Sequence, residues 1–196
     1  MNYVKNMEHK IKEITMKDLK KYYNPEEVLG YCANCNNHEK IWSCPPYDFN
    51  VDEYINKYEY AYIIGSKIYL KGHKGTVDEI NELSLEILED VRGGLDKKII
   101  KEEDENNVVL YAGRCIICKD CTRIKNKACI KPDKMRYSLE SLGFKVSEIT
   151  SGLLKEEILW AKESLPEYFL LVSAIFSKEK IKDEKIDRLL NTLKNY

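Results

Sequence analysis

The sequence predicts an α/β fold: a small mixed sheet covered by helices, with cysteine-rich loops holding a metal cluster. Three observations carry that expectation. Segments rich in β-branched and aromatic residues alternate with segments of helical periodicity. Hydrophobic residues make up 43% of the 196 positions, enough to build a core. All seven cysteines fall into two short groups.

The elements follow in chain order. Residues 1–31 are charged and loosely patterned, and are read as a loosely attached N-terminal segment of a single 1–196 domain. Within them, Asn24-Pro25-Glu26-Glu27 signals a helix start: a capping side chain, a proline at the first position and acids facing the dipole. Asn50-Val51-Asp52-Glu53 repeats that logic and opens a short helix to about residue 58. Residues 60–70 are rich in Tyr and Ile and read as a strand. Thr76-Val77-Asp78-Glu79 is a capping box, and Ile80, Leu83, Ile87 and Val91 then recur at helical spacing until Gly93-Gly94, the expected stop. Residues 108–111 form a short strand running into Gly113. A short helix is expected over 138–142, ended by Gly143, then a strand over 144–149 and a helix over 153–164. Residues 168–176 are the most apolar strand candidate. Ile181, Ile186, Leu189, Leu190 and Leu193 mark a last amphipathic helix.

Bulk properties exclude several function classes. A net charge of -1 argues against a globally basic nucleic-acid binder. No apolar run approaches the roughly 20 residues that span a bilayer, and residues 1–13 lack the apolar stretch of a secretory signal. The expected location is cytoplasmic, with no membrane partner. In a reducing compartment, clustered cysteines at short spacing read as metal ligands rather than disulfides.

Cys115, Cys118, Cys121 and Cys129 follow C-x2-C-x2-C-x7-C, with Pro132 shortly after. Two-residue gaps let successive thiolates converge on one side of a tight loop, and a cubane needs three such corners plus a fourth ligand from further along. Zinc more often takes two separated C-x2-C pairs, so the evenly spaced triplet favours a [4Fe-4S] cluster, with zinc as the alternative. Arg114, Lys119, Arg123, Lys125, Lys127, Lys131, Lys134 and Arg136 flank this group against only Asp120 and Asp133. That basic stretch, 114–136, suits an acidic redox partner; nucleic acid is the less favoured partner, because aromatic interleaving is missing.

Cys32, Cys35 and Cys44 form C-x2-C-x8-C, followed by Pro45-Pro46, with Trp42, Tyr47 and Phe49 as an apolar wall or as plain core. Two four-cornered clusters need eight protein ligands, and seven cysteines are available. Exchange of Cys44 and Cys129 between the sets, as in two-cluster ferredoxins, leaves the shortfall in place. Three answers stay open: His38 as the missing ligand, an iron left open for substrate, or no cluster on the first group. A homodimer could also supply the ligand across its interface.

Taken together, Cys32-Ala33-Asn34-Cys35, Trp42-Ser43-Cys44-Pro45-Pro46-Tyr47, Gly113-Arg114-Cys115 through Cys129, and Ser138-Leu139-Glu140-Ser141-Leu142-Gly143 resemble an uncharacterised family of predicted metal-binding proteins of bacteria and archaea, a domain of unknown function. The resemblance runs from about 32 to 146. It implies a metal and no particular reaction.

Three functions are therefore expected to compete. The first is a cluster-dependent redox or electron-transfer role with one or two [4Fe-4S] clusters. The second is an enzyme with an open-site cluster, of dehydratase or desulfidase type by analogy. The third is a zinc-stabilised module binding nucleic acid or protein. A phosphate-binding loop, a dinucleotide fingerprint and the C-x3-C-x2-C radical pattern are absent from the sequence.

Overall fold

The structure, a computed structural model, describes residues 3–194. Among them, four strands form one sheet: β1 (Val4–Thr15), β2 (Tyr60–Leu70), β3 (Asn107–Leu110) and β4 (Tyr168–Ser177), in the order β1-β2-β4-β3. Every neighbouring pair is antiparallel, with Ile64 opposite Ser173 across the centre and Val109 opposite Ile175 at the short edge. β2 and β4 are central because they are apolar on both faces; nearly every residue of β4 is buried.

Side chains alternate between two helical layers, as the period of two requires. One face carries Tyr62, Ile64, Phe169 and Ile175 against helices α4 (Val77–Ile99) and α6 (Asp183–Lys194), which contribute Val91, Leu95, Leu189 and Leu193. The other face carries Ala61, Ile63, Val172 and Phe176 against the short helices α1 (Met16–Leu19), α3 (Val51–Ile55) and α5 (Val146–Ile149). Helix α2 (Pro25–Ala33) lies beside this second layer, its Val28 buried. Among the described residues no helix is long and apolar enough to cross a membrane.

The expected class of a small sheet covered by helices holds, with the sheet wholly antiparallel rather than mixed, and so do most local signals. Asn24 caps α2 by accepting from the Glu27 amide, with Pro25 at the first position. Asn50 caps α3 in the same way, and the Thr76–Glu79 capping box opens α4. Gly143 sits at φ 96 and ends a single 3₁₀ turn over Glu140–Leu142.

Four expectations need correction. Residues 4–15, patterned too loosely to assign, pair with β2 along nearly their whole length. Helix α4 runs through Gly93-Gly94 to Ile99, because Val91, Leu95 and Ile99 extend one buried stripe. Burial of that stripe outweighs the roughly 1 kcal/mol that each interior glycine costs. The strand expected over 144–149 is helix α5, with only a Tyr23–Phe144 bridge before it; Val146 and Ile149, three apart, both bury against the second layer. The helix expected over 153–164 is a π turn (Thr150–Leu154), after which Lys155 at φ 58 breaks the chain into an irregular strap. Tertiary partners hold that strap: Glu156 bridges Lys10 (2.9 Å) and Lys67 (2.8 Å), the Tyr168 hydroxyl donates to the Glu157 carbonyl, and Ser164 bridges to Lys74.

Candidate metal centre

The first cysteine set sits where α2 unwinds. Cys32 occupies the last turn, the Cys35 amide donates to its carbonyl (3.0 Å), and the His38 amide to that of Cys35 (3.0 Å). A chain of such turns brings Cys44 back, its amide bonded to the Ile41 carbonyl (2.9 Å), while the Glu39 amide donates to the Pro45 carbonyl (3.1 Å). The Cys44 thiol is pushed up to about 11, chiefly by burial and also by the nearby Cys35 and Cys32, against the opposing Ser43 and Arg123. Burial likewise raises Cys32, helped by Cys35 and Glu140. These three thiols share one electrostatic field. A thiol raised in this way ligates when a cation displaces its proton.

The second set forms the loop after β3. Burial raises the Cys115 thiol, opposed by the Ile117 amide and reinforced by Cys118, Cys129 and Cys121. A 3₁₀ turn over Thr122–Lys125, closed by Asn126 at φ 51, returns the chain towards Cys129. The Lys127 amide donates to the Thr122 carbonyl (3.1 Å) and the Thr122 hydroxyl to the Ala128 carbonyl (2.8 Å). The thiols that act on Cys44 are Cys35 and Cys32, and those that act on Cys115 are Cys118, Cys129 and Cys121.

The two loops are interlocked. The Arg123 guanidinium donates to the carbonyls of Ile41 (2.9 Å), Cys44 and Pro46 (2.7 Å), and lies 5.2 Å from the centre of the Trp42 ring. The Trp42 indole donates to the Lys127 carbonyl (3.1 Å), and the Cys115 amide to the Ser43 hydroxyl (2.8 Å). Beneath them, Tyr47, Phe49 and Tyr137 stack with centroids 4.9–5.3 Å apart. Tyr47 and Phe49 thereby serve as core packing, while Tyr47 also lies in the field of Cys44 and Cys32.

The basic flank divides in two. Arg123 clamps the loops, Arg114 pairs with Glu89, and Arg136 with Glu103, so three of its cations are engaged by groups outside the stretch or by backbone. Lys119, Lys125, Lys127, Lys131 and Lys134 are exposed, beside exposed Ile124 and Ile130.

Cys32, Cys35, Cys44 and His38 line one side of a cavity of about 790 Å³. The same cavity is lined by Arg92 of α4, Glu140 of the 3₁₀ turn, Leu88, Phe169 and Val172. Arg92 is only 6% exposed; its Nη2 donates to the Arg114 carbonyl (2.5 Å) and stands 3.7 Å from Asp96, while its Nε has no partner. Glu140 is half-buried as a residue, yet its Oε2 is shut off from solvent and unpartnered. Burial raises its carboxyl above the ordinary range, although Ser138 and Arg92 pull it down. The second cysteine set contributes no residue to this cavity.

From the sequence, Arg123 reads only as one cation of the basic flank, Ser43 and Glu140 only as members of the motifs that carry the resemblance, and Arg92 is not singled out. Arg92 carried the one readable signal: it falls four residues after Leu88, on the apolar side of an otherwise amphipathic helix. The others gain their role from contacts between segments about 70 to 80 residues apart, such as Ser43 with Cys115 and Arg123 with Cys44.

Among the described residues, no three His, Cys, Asp or Glu side chains are gathered tightly enough to hold a single metal ion. The donor chemistry still suits a thiophilic metal, since each set offers three or four sulfurs within one field. The family profile described as "Predicted metal-binding protein (DUF2284)" matches residues 14–172. No curated protein and no solved structure matches the chain.

Proposed function

The chain belongs to this predicted metal-binding family, and from that premise we propose that it is a two-centre iron–sulfur redox protein with a working face at Cys32, Cys35 and Cys44. In this reading Cys115, Cys118, Cys121 and Cys129 hold a fully thiolate-ligated [4Fe-4S] cluster that relays electrons. The three-cysteine set holds a second one, short of a thiolate. One observation carries the assignment: the three-cysteine set opens onto a cavity of about 790 Å³, and the four-cysteine set does not.

A site that lacks a fourth thiolate suits chemistry when it adjoins space for a small molecule. An iron without a protein ligand supplies Lewis-acid and electron-transfer chemistry there. The chain's own residues supply the rest. Arg123 and Trp42 hold the two loops together, which keeps the centres close enough to exchange electrons. Buried Ser43 and half-buried Cys44 limit water at the inner end. His38, on the same cavity wall, is the remaining candidate for a fourth ligand.

The exposed lysines 119, 125, 127, 131 and 134 favour a related reading, in which an acidic redox partner delivers electrons at the second loop. Each reading is tested by purification without oxygen, followed by iron, acid-labile sulfide and zinc determination. The proposal expects about eight irons per chain, falling to about four in either Cys44→Ser or Cys129→Ser. About four irons in the parent, all lost in Cys129→Ser, would leave a single-cluster electron carrier. Zinc without labile sulfide would replace both with a structural zinc module.

A further inference from the structure

Two ionisable groups in the cavity are left short of partners where no solvent reaches their orphaned atoms. Arg92 Nε and Glu140 Oε2 each lack a hydrogen bond, and both line the space that the three cysteines face. Burying a guanidinium with one carbonyl acceptor and a carboxylate 3.7 Å away is costly in an otherwise apolar environment. Such a group is tolerated when a ligand completes its shell. The same holds for Glu140, whose carboxyl feels Arg92 electrostatically without bonding to it.

We infer that the cavity is a binding site for a small monocarboxylate with an apolar body, anchored by Arg92 and held to a single negative charge by Glu140. The inference rests on the cavity being the working face of the three-cysteine set and names the class of molecule that occupies it. Three features define the class. A planar guanidinium with unused donors matches a carboxylate in bidentate fashion. Leu88, Phe169 and Val172 also line the cavity, so the remainder of the molecule is apolar. Glu140 is a second acid at the anchor: ionised, it repels the phosphate dianion more strongly than a monoanion, and protonated, it can donate to a carboxylate or a neighbouring hydroxyl. Arg114 on the same lining is hydrogen-bonded to Glu89, whereas Asp96 stands 3.7 Å from Arg92 and leaves its Nε without an acceptor, so Arg92 is the anchor.

The test uses the full chain purified without oxygen, titrated calorimetrically with phenylacetate, phenylacetamide and inorganic phosphate. Phenylacetate is expected to bind at least tenfold more tightly than its neutral amide, with phosphate not binding. Arg92→Gln should weaken phenylacetate about 10- to 100-fold, the range for loss of charged hydrogen bonds. Glu140→Gln should retain phenylacetate and admit phosphate at least tenfold better than the parent. Should Arg92→Gln fail to fold, Arg92→Lys and Glu140→Gln carry the test: the lysine variant should bind phenylacetate more weakly, since a point charge loses the fork. Equal binding of phenylacetate and its amide, absence of phenylacetate binding, or indifference to the Arg92 variants overturns the inference. Iron and sulfide are measured on the same samples. Absent phenylacetate binding with intact iron on both sets refutes the carboxylate site alone. Arg92-dependent binding in protein without iron supports the site and refutes the iron–sulfur assignment alone.

Discussion

Replacing Arg123 by alanine isolates the contact that ties the two cysteine loops together. Its guanidinium serves three carbonyls, those of Ile41, Cys44 and Pro46, and packs on Trp42. Charged hydrogen bonds contribute about 1.5–3 kcal/mol each when well buried. Arg123 is half-buried and its acceptors regain water on truncation, so about 1 kcal/mol per bond is the appropriate scale. The cation–π contact adds about 0.5–1 kcal/mol. The total is about 3–4 kcal/mol, which for a chain of this length corresponds to a melting temperature lower by about 10 °C. Near-ultraviolet circular dichroism during thermal unfolding of metal-free, reduced protein measures it. Arg123→Lys should recover less than half of the loss, because one ammonium cannot reach three diverging carbonyls. An Arg123→Ala variant that melts within about 2 °C of the parent would refute the clamp and leave the loops held by Trp42 and Ser43 alone.

Other perturbations address separate parts of the structure. Gly143→Ala places a Cβ 2.9 Å from Pro25 Cα at φ +96, so it should destabilise by about 1–3 kcal/mol, read from the urea midpoint. Glu156→Gln removes the charge that bridges Lys10 and Lys67 beneath the strap; amide exchange over 155–164 should quicken while that of β4 is unchanged. His9 is held down to about 4 by burial and by Lys98, with the Leu193 carbonyl opposing. The unfolded chain binds a proton there below about pH 6.5 that the folded one refuses until about pH 4. Stability is therefore complete above pH 6.5 and lost as pH falls towards 4, by about 1–2 kcal/mol after allowing for partial exposure. Asp96, raised to about 6 by burial against the pull of Arg92, acts in the opposite direction: its contribution is present below pH 3.8 and lost as pH rises through 6. Urea unfolding of the parent and His9→Gln at pH 7.5 and 5 separates the two, since only the parent carries the His9 slope.

The lysines of the second loop and the cavity of the first suggest a division of labour between the two ends of one interlocked unit. Exposed Lys125, Lys127 and Lys131 form a charged face, with exposed Ile124 and Ile130 among them. Cys32, Cys35 and Cys44 line a half-open, mostly apolar cavity. In the reading proposed above, electrons would arrive at the lysine face and the chemistry would take place at the cavity.

The elements legible from the sequence are those governed by nearest neighbours. The Asn24, Asn50 and Thr76 caps, the bounds of β2, and the turn at Gly143 depend on a few adjacent residues and their backbone preferences, and each stands where the residues predict. Cysteine spacing is equally local, which is why both groups could be recognised before any fold was known. Tertiary contacts decided the rest. Packing against β2 made a strand of the charged residues 4–15 and carried α4 past two glycines. Contacts of Glu156 and Glu157 with β1, β2 and β4 held 155–164 out of the helix its composition suggested. The cavity belongs to the same class: Cys44, Arg92 and Glu140 lie about 50 residues apart along the chain, and only the sheet and its two helical layers bring them around one space. Local signals report the free energy of a few dihedrals and hydrogen bonds, whereas a binding site is made by burial shared among distant segments, which no short window of sequence contains.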